Sequence, residues 1–234
     1  TPTDKTYSGA VKPVTVQAKD TNGTAVTTTY TPNITPVKPT AKGVTSEGAQ
    51  GQEQSGTPTF TEGHEKAPID PTVPAKLIDP ETGEPTDETS VEVPGEGTYT
   101  VAPDGTVTFT PEKDFTGQAT GVTVKRVDKN GTPVTAKYTP VVLPVTPTGK
   151  DVTSIGEKGQ PQSETPVFTP GTTKVNGKTI TVPIDEKVAP TFDDGTTEKK
   201  VPGEGTYTID KDGKVTFTPE PQFTGTAKGI DVSL

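Results

Sequence analysis

The sequence contains no cysteine, no methionine and no tryptophan. Lack of cysteine rules out a disulfide, a thiolate nucleophile and a zinc–sulfur site. Lack of methionine removes an easily oxidised side chain, which suits a protein exposed at a surface. There is one arginine, Arg126, and the net charge is −9. Nucleic acid needs clustered positive charge, so it is excluded as a partner. The single histidine, His64, lies among Glu62, Gly63, Glu65 and Lys66 and reads as an exposed loop residue. No apolar run approaches the roughly 20 residues of a helical membrane span, so no membrane insertion is expected. No signal peptide opens the sequence. It starts and stops out of phase with its own repeat, so a fragment of something longer is expected.

Core material is also scarce. Val, Ile, Leu and Phe supply 44 of 234 residues, close to the level at which chains stop folding. Disorder is therefore a reading to weigh. Two features count against it: the modest net charge, and apolar residues that are patterned, as disordered tracts are not.

What the sequence does have is itself, twice. Val93-Pro94-Gly95-Glu96-Gly97-Thr98-Tyr99-Thr100 returns as Val201-Pro202-Gly203-Glu204-Gly205-Thr206-Tyr207-Thr208, an offset of 108. Between 93–126 and 201–234, 22 of 34 positions are identical. The same offset links Tyr30-Thr31-Pro32 to Tyr138-Thr139-Pro140, Val44-Thr45-Ser46 to Val152-Thr153-Ser154, and Phe60 to Phe168. A fixed period through most of a chain signals an array of similar units, which supplies length or multivalency more often than one catalytic centre. The period divides the chain into residues 1–38, the C-terminal part of a preceding repeat; 39–146, a complete repeat; and 147–234, a second repeat that stops before its last hairpin partner. The joins, Thr35-Pro36-Val37-Lys38-Pro39 and Leu143-Pro144-Val145-Thr146-Pro147, carry spaced prolines, which favour stiff extended backbone.

Thr occupies 49 positions. It is β-branched and fits a pleated surface, while frequent Pro and Gly oppose long helices. Gly97–Val101 and Thr106–Thr110 alternate, with Tyr99, Val101, Val107 and Phe109 on one face and threonines on the other. Pro103-Asp104-Gly105 supplies the turn, and Lys211-Asp212-Gly213 its second copy. Val122-Thr123-Val124 and Pro133–Tyr138 flank Asn130-Gly131; Val14–Val16 and Ala25–Tyr30 flank Asn22-Gly23. A third hairpin, around Asn176-Gly177, is local to the last unit. Gly48–Phe60 and Gly156–Phe168 lack periodicity and read as irregular, each ending in a short strand. The fold class expected is all-β: tandem, β-sandwich-like repeat domains in an elongated array.

The blocks Val-Pro-Gly-Glu-Gly-Thr-Tyr-Thr, Asp-Gly-x-Val-Thr-Phe-Thr-Pro-Glu and Phe-Thr-Gly-x-Ala resemble the CshA-type fibril repeat of streptococcal-type surface adhesins. The resemblance covers 93–122, 201–230, and the openings Pro39–Ser46 and Pro147–Ser154. Glu81–Pro85 fits the pattern, and the last unit departs from it at Ala189–Lys200. It implies an extracellular, cell wall-anchored fibrillar protein of a Gram-positive bacterium. In such proteins ligand recognition is thought to lie largely in a non-repetitive amino-terminal region. No binding residue carries over.

Signals for chemistry are weak. Asp210-Lys211-Asp212-Gly213 has the opening of a calcium loop, but its counterpart is Ala102-Pro103-Asp104-Gly105, without the first carboxylate; both read as turns, as does Asp193-Asp194-Gly195. Leu143-Pro144-Val145-Thr146-Pro147 is similar to a sortase signal, with Pro where Gly is needed and no apolar tail, and reads as a join. A Lys–Asn isopeptide crosslink would need one of Asn22, Asn33, Asn130 or Asn176, three of which sit at turn tips. No catalytic, cofactor-binding or metal-binding residue is assigned, and no cofactor is expected. The leading expectation is a non-enzymatic stalk that projects a distal binding region. Its partners are neighbouring repeats of the same chain, and a host surface or matrix reached through other regions. The alternatives are repeats that themselves bind matrix, glycan or each other, and an accessory module of a secreted hydrolase.

Overall fold

The computed structural model describes residues 3–234, so the first two residues of segment 1–38 lie outside the described residues. Every regular element among the described residues is a strand. The chain forms two compact bodies, one ending at Leu143 and one starting at Pro144.

The complete repeat in the first body is a sandwich of two sheets. One sheet runs Ser90–Val93, Gly97–Val101, Val107–Pro111, Gln54–Gly56, all antiparallel. The other runs Gly117–Gln118, Pro133–Leu143, Val122–Val127, Lys76–Ile78. Val44–Ala49 lies along Pro133–Leu143 in parallel register, from Val44 opposite Tyr138 to Ala49 opposite Leu143. Alternation puts Tyr99, Val101, Val107 and Phe109 inward, where they meet Leu77, Val122, Val124, Tyr138 and Val142 in one buried cluster. Each of these large side chains contributes roughly 1.5–3 kcal/mol by leaving water.

The repeated Val-Pro-Gly-Glu-Gly block has a local reason. Pro94–Glu96 turns the chain between two strands, closed by a bond from the Glu96 N–H to the Val93 carbonyl. At Gly97 φ is 152°, and an added Cβ would fall 2.3 Å from the Thr110 carbonyl oxygen. Only glycine fits there. The Glu96 carboxylate accepts from the Thr120 N–H and hydroxyl (2.9 and 2.6 Å), tying this turn to the segment after Gln118. Glu204 does the same for the Lys228 N–H at 3.1 Å.

Gly48–Phe60, expected to be irregular up to a short closing strand, contributes two strands before that one, which forms at Thr59–Thr61: the end of Val44–Ala49, and Gln54–Gly56, which completes the first sheet. In the second body Gln162–Glu164 plays the same part. Periodicity failed here because an inward position is polar: Gln54 is buried. The strand expected at Pro133–Tyr138 continues through Pro140 to Leu143.

Residues 9–34 copy 117–142 register for register. Gly9 pairs Ile34 as Gly117 pairs Val142, and Val14 pairs Tyr30 as Val122 pairs Tyr138. Their surroundings differ. All twelve residues of Val14–Lys19 and Ala25–Tyr30 are exposed.

The second body holds a matching four-stranded sheet: Gln162–Glu164, Val215–Pro219, Gly205–Ile209, Glu198–Val201. Tyr207, Ile209, Phe217 and Phe192 form its buried cluster. Phe192 pairs with Val232 as Leu77 pairs with Val124. Val232 follows the offset of 108, but Phe192 lies 115 after Leu77. The extra seven residues belong to a stretch that includes the hairpin Gly171–Val175 with Lys178–Val182. The next stretch is seven shorter, so Glu198 again lies 108 after Ser90. That compensated shift explains the departure at Ala189–Lys200.

Candidate functional site

The chemistry of the complete repeat is concentrated in a seam of two tyrosines. Tyr99 comes from the first sheet and Tyr138 from the second; both are fully buried. Their rings meet edge to face with centroids 6.3 Å apart, and Tyr99 lies 4.6 Å from the Phe109 ring. Such contacts add to burial because a positive ring edge faces a negative ring face. Each hydroxyl is partnered. Tyr99 Oη accepts from the Gly121 N–H at 3.0 Å. Ser46 Oγ donates to Gln54 Oε1 at 2.6 Å. Its one proton is then used, so the 2.6 Å contact between Ser46 Oγ and Tyr138 Oη has the tyrosine as donor. Gln54 Nε2 donates to the Val141 carbonyl at 3.1 Å. The relay runs from Tyr138 through Ser46 and Gln54 back to the strand that carries Tyr138. Burial pushes the Tyr99 phenol up to about 12 and raises that of Tyr138 as well. The seam is built to hold three strands together, not to transfer a proton near neutral pH.

The acidic turns cap backbone. Asp104 Oδ1 accepts from the Thr106 N–H at 2.9 Å, and Asp210 Oδ1 from the Asp212 and Lys214 N–H groups at 2.9 Å each. Asp194 accepts from the Thr196 hydroxyl and pairs with Lys199, which lowers its carboxyl to about 2. His64 Nδ1 accepts from the Lys66 N–H at 3.1 Å in an exposed turn. Asn22 and Asn130 lie in turns whose N–H groups are held by Asp20 and Asp128; Asn33 pairs with Ala10; Asn176 is at a hairpin tip with φ 49°. Leu143 ends a strand and Pro144 starts the second body. None of these groups converges on another. Ser46 and Gln54 escaped a reading of the sequence by apolar period. Their signal was positional: Ser154 and Gln162 repeat them at the same offset, with the same 2.6 Å bond.

Residues 36–142 and 144–234 each match the model of the surface adhesin CshA repetitive domain. The chain belongs to this family. A search of the curated proteins found no match. Among solved structures, the chain is 55% identical to the NMR structure of repeat domain 13 of the fibrillar adhesin CshA from Streptococcus gordonii, over 33% of this chain and 90% of that one (TM-score 0.17). It is 18% identical to a tetra-tandem repeat in the extending region of a large adhesion protein, over 91% and 48% (TM-score 0.22). It is 11% identical to the eight N-terminal Ig domains of Down Syndrome Cell Adhesion Molecule, over 90% and 31% (TM-score 0.34). With all TM-scores this low, membership rests on the sequence match. As CshA-type adhesin repeats, the two bodies are all-β modules in tandem, and the family places them at an extracellular surface. Among the described residues no helix is long and apolar enough to cross a membrane.

Proposed function

We propose that this chain is a non-enzymatic stalk segment of a cell wall-anchored adhesin from a Gram-positive bacterium, whose product is reach. One observation supports this above the others: the parallel pairing of Val44–Ala49 with Pro133–Leu143. These are the first and last long strands of the repeat. Because they run parallel, the chain enters the pair at one end and leaves it at the other. Tension along the chain then slides the strands past each other and loads all six register pairs together. An antiparallel pair of terminal strands would open one bond at a time. The tyrosine relay bolts the same two strands through Ser46 and Tyr138. Boundaries at 1–38, 39–146 and 147–234, with proline-spaced joins, belong to this proposal. Small-angle scattering of the full chain tests it: an elongated particle is expected, and a compact globule contradicts it.

A further inference from the structure

Glu198–Val201 is the outer strand of the four-stranded sheet in the second body, and it pairs on one side only, with Gly205–Ile209. Ser90–Val93 holds the same place in the complete repeat, so the open edge is a feature of the repeat itself. The ladder fixes which groups face out. The Thr197 carbonyl accepts from the Ile209 N–H, so Thr197, Lys199 and Val201 bond toward the neighbouring strand. Glu198 and Lys200 therefore turn their backbone N–H and carbonyl groups away from the sheet. Both residues are exposed, while Lys199 and Val201 are half-buried.

An open edge of this kind is a template for one more strand, and its charges select which strand fits. Glu198 and Lys200 form no ion pair among the described residues. Lys199, between them, is neutralised by Asp194 at 3.0 Å and Asp193 at 3.4 Å. Set antiparallel against its own copy, with Lys199 at the centre, the strand is self-complementary. Glu198 of each copy lies opposite Lys200 of the other, and each such pair exchanges both outward backbone bonds. Opposite charges facing across a ladder attract, and like charges repel. The neighbouring registers place Lys200 opposite Lys200, or Glu198 opposite Glu198, so one alignment is selected. Beyond it Thr196 is already bonded to Asp194 and Phe192, and Pro202 has no N–H, so the ladder stops. The contact is short and its affinity is low.

We propose that Glu198–Val201 is a self-recognition edge, through which two copies of this chain join by antiparallel strand pairing about a two-fold axis at Lys199. One patch serves both copies, so the contact is isologous and closes as a dimer. The complete repeat lacks this charge pattern. By the offset of 108, Ser90, Val91 and Glu92 stand where Glu198, Lys199 and Lys200 do. The same alignment there sets Glu92 opposite Ser90, with Asp87 and Glu88 adding negative charge nearby. The pairing is independent of the stalk reading, since it needs only this edge.

Sedimentation equilibrium of the full chain, from about 10 µM to 1 mM, tests the proposal. The mass is expected to rise with concentration toward that of a dimer and no further. Glu198→Lys and Lys200→Glu each set like charges opposite one another and are expected to weaken the association about tenfold or more. The double variant, Glu198→Lys with Lys200→Glu, faces opposite charges again and is expected to recover it to within about threefold. Both positions are exposed, so thermal melts of all three variants are expected to match that of the unmodified chain. A constant monomer mass overturns the proposal, as does growth beyond a dimer. Association that the single reversals leave unchanged, or that the double reversal fails to restore, overturns it as well.

Discussion

Tyr138 and Ser46 are joined at 2.6 Å, hydroxyl to hydroxyl, across the parallel pair that begins and ends the complete repeat. The bond is partly buried and continues into Gln54. It therefore couples Pro133–Leu143 to two strands, Val44–Ala49 and Gln54–Gly56, that lie almost a whole repeat earlier in sequence.

Truncating that tyrosine separates its two contributions. Tyr138→Phe removes the donor to Ser46 and is expected to destabilise the first body by about 1–2 kcal/mol. Tyr138→Ala also leaves a ring-sized cavity beside Tyr99 and is expected to cost about 3–5 kcal/mol. Urea unfolding of the full chain, followed by tyrosine fluorescence, measures both. The order of the two variants is the informative result.

Alkaline pH should unfold the repeats before it titrates the buried tyrosines Tyr99, Tyr138 and Tyr207. Tyr99 is raised to about 12 in the folded state, against about 10 unfolded, because its ring is buried. The unfolded chain thus releases a proton where the native one keeps it. The stabilising effect is complete below pH 10 and is lost as pH rises through 12. Tyr138 and Tyr207 are shifted the same way. Melting temperature is expected to fall steeply above pH 10, with the tyrosinate absorbance of the three buried tyrosines appearing together with unfolding.

Gly56 is a site of close approach. Gly56→Ala would set its methyl carbon 2.7 Å from one Tyr138 ring carbon and 3.1 Å from Val44 Cγ1. The Tyr138 ring is fully buried, so it cannot withdraw toward solvent. A loss of about 1–3 kcal/mol is expected from this overpacking, read by thermal melts. At Glu164, the corresponding exposed position, exchange to Ala is expected to leave the melting curve of the second body unchanged.

Much of the repeat was legible in the sequence, for stated reasons. Gly97–Val101 and Val107–Pro111 announce themselves because apolar and threonine positions alternate around an Asp-Gly turn. Val122–Val127 and its partner do so through Asn130-Gly131. Gln54–Gly56 did not, because its inward residue is a glutamine satisfied by Ser46 and the Val141 carbonyl, which inverts the apolar rule. The parallel pairing of Val44–Ala49 leaves no local mark, since it joins residues almost a whole repeat apart. The compensated seven-residue shift around Phe192 hides inside a constant offset. The tyrosine seam was legible only as recurrence: Ser46 with Ser154, Gln54 with Gln162, Tyr99 with Tyr207.

The direct test of a tension-bearing repeat is to pull it in two directions. The sequence has no cysteine, so handles can be placed at will. Handles on Lys42→Cys and Thr146→Cys, both exposed positions, load the Val44–Ala49 and Pro133–Leu143 pair from opposite ends. Handles on Lys42→Cys and Lys137→Cys load it from one end and peel it. A single cooperative unfolding event at distinctly higher force is expected for the first pair of handles. Equal forces in the two geometries, or gradual extension without a discrete event, would contradict a stalk built on this strand pair.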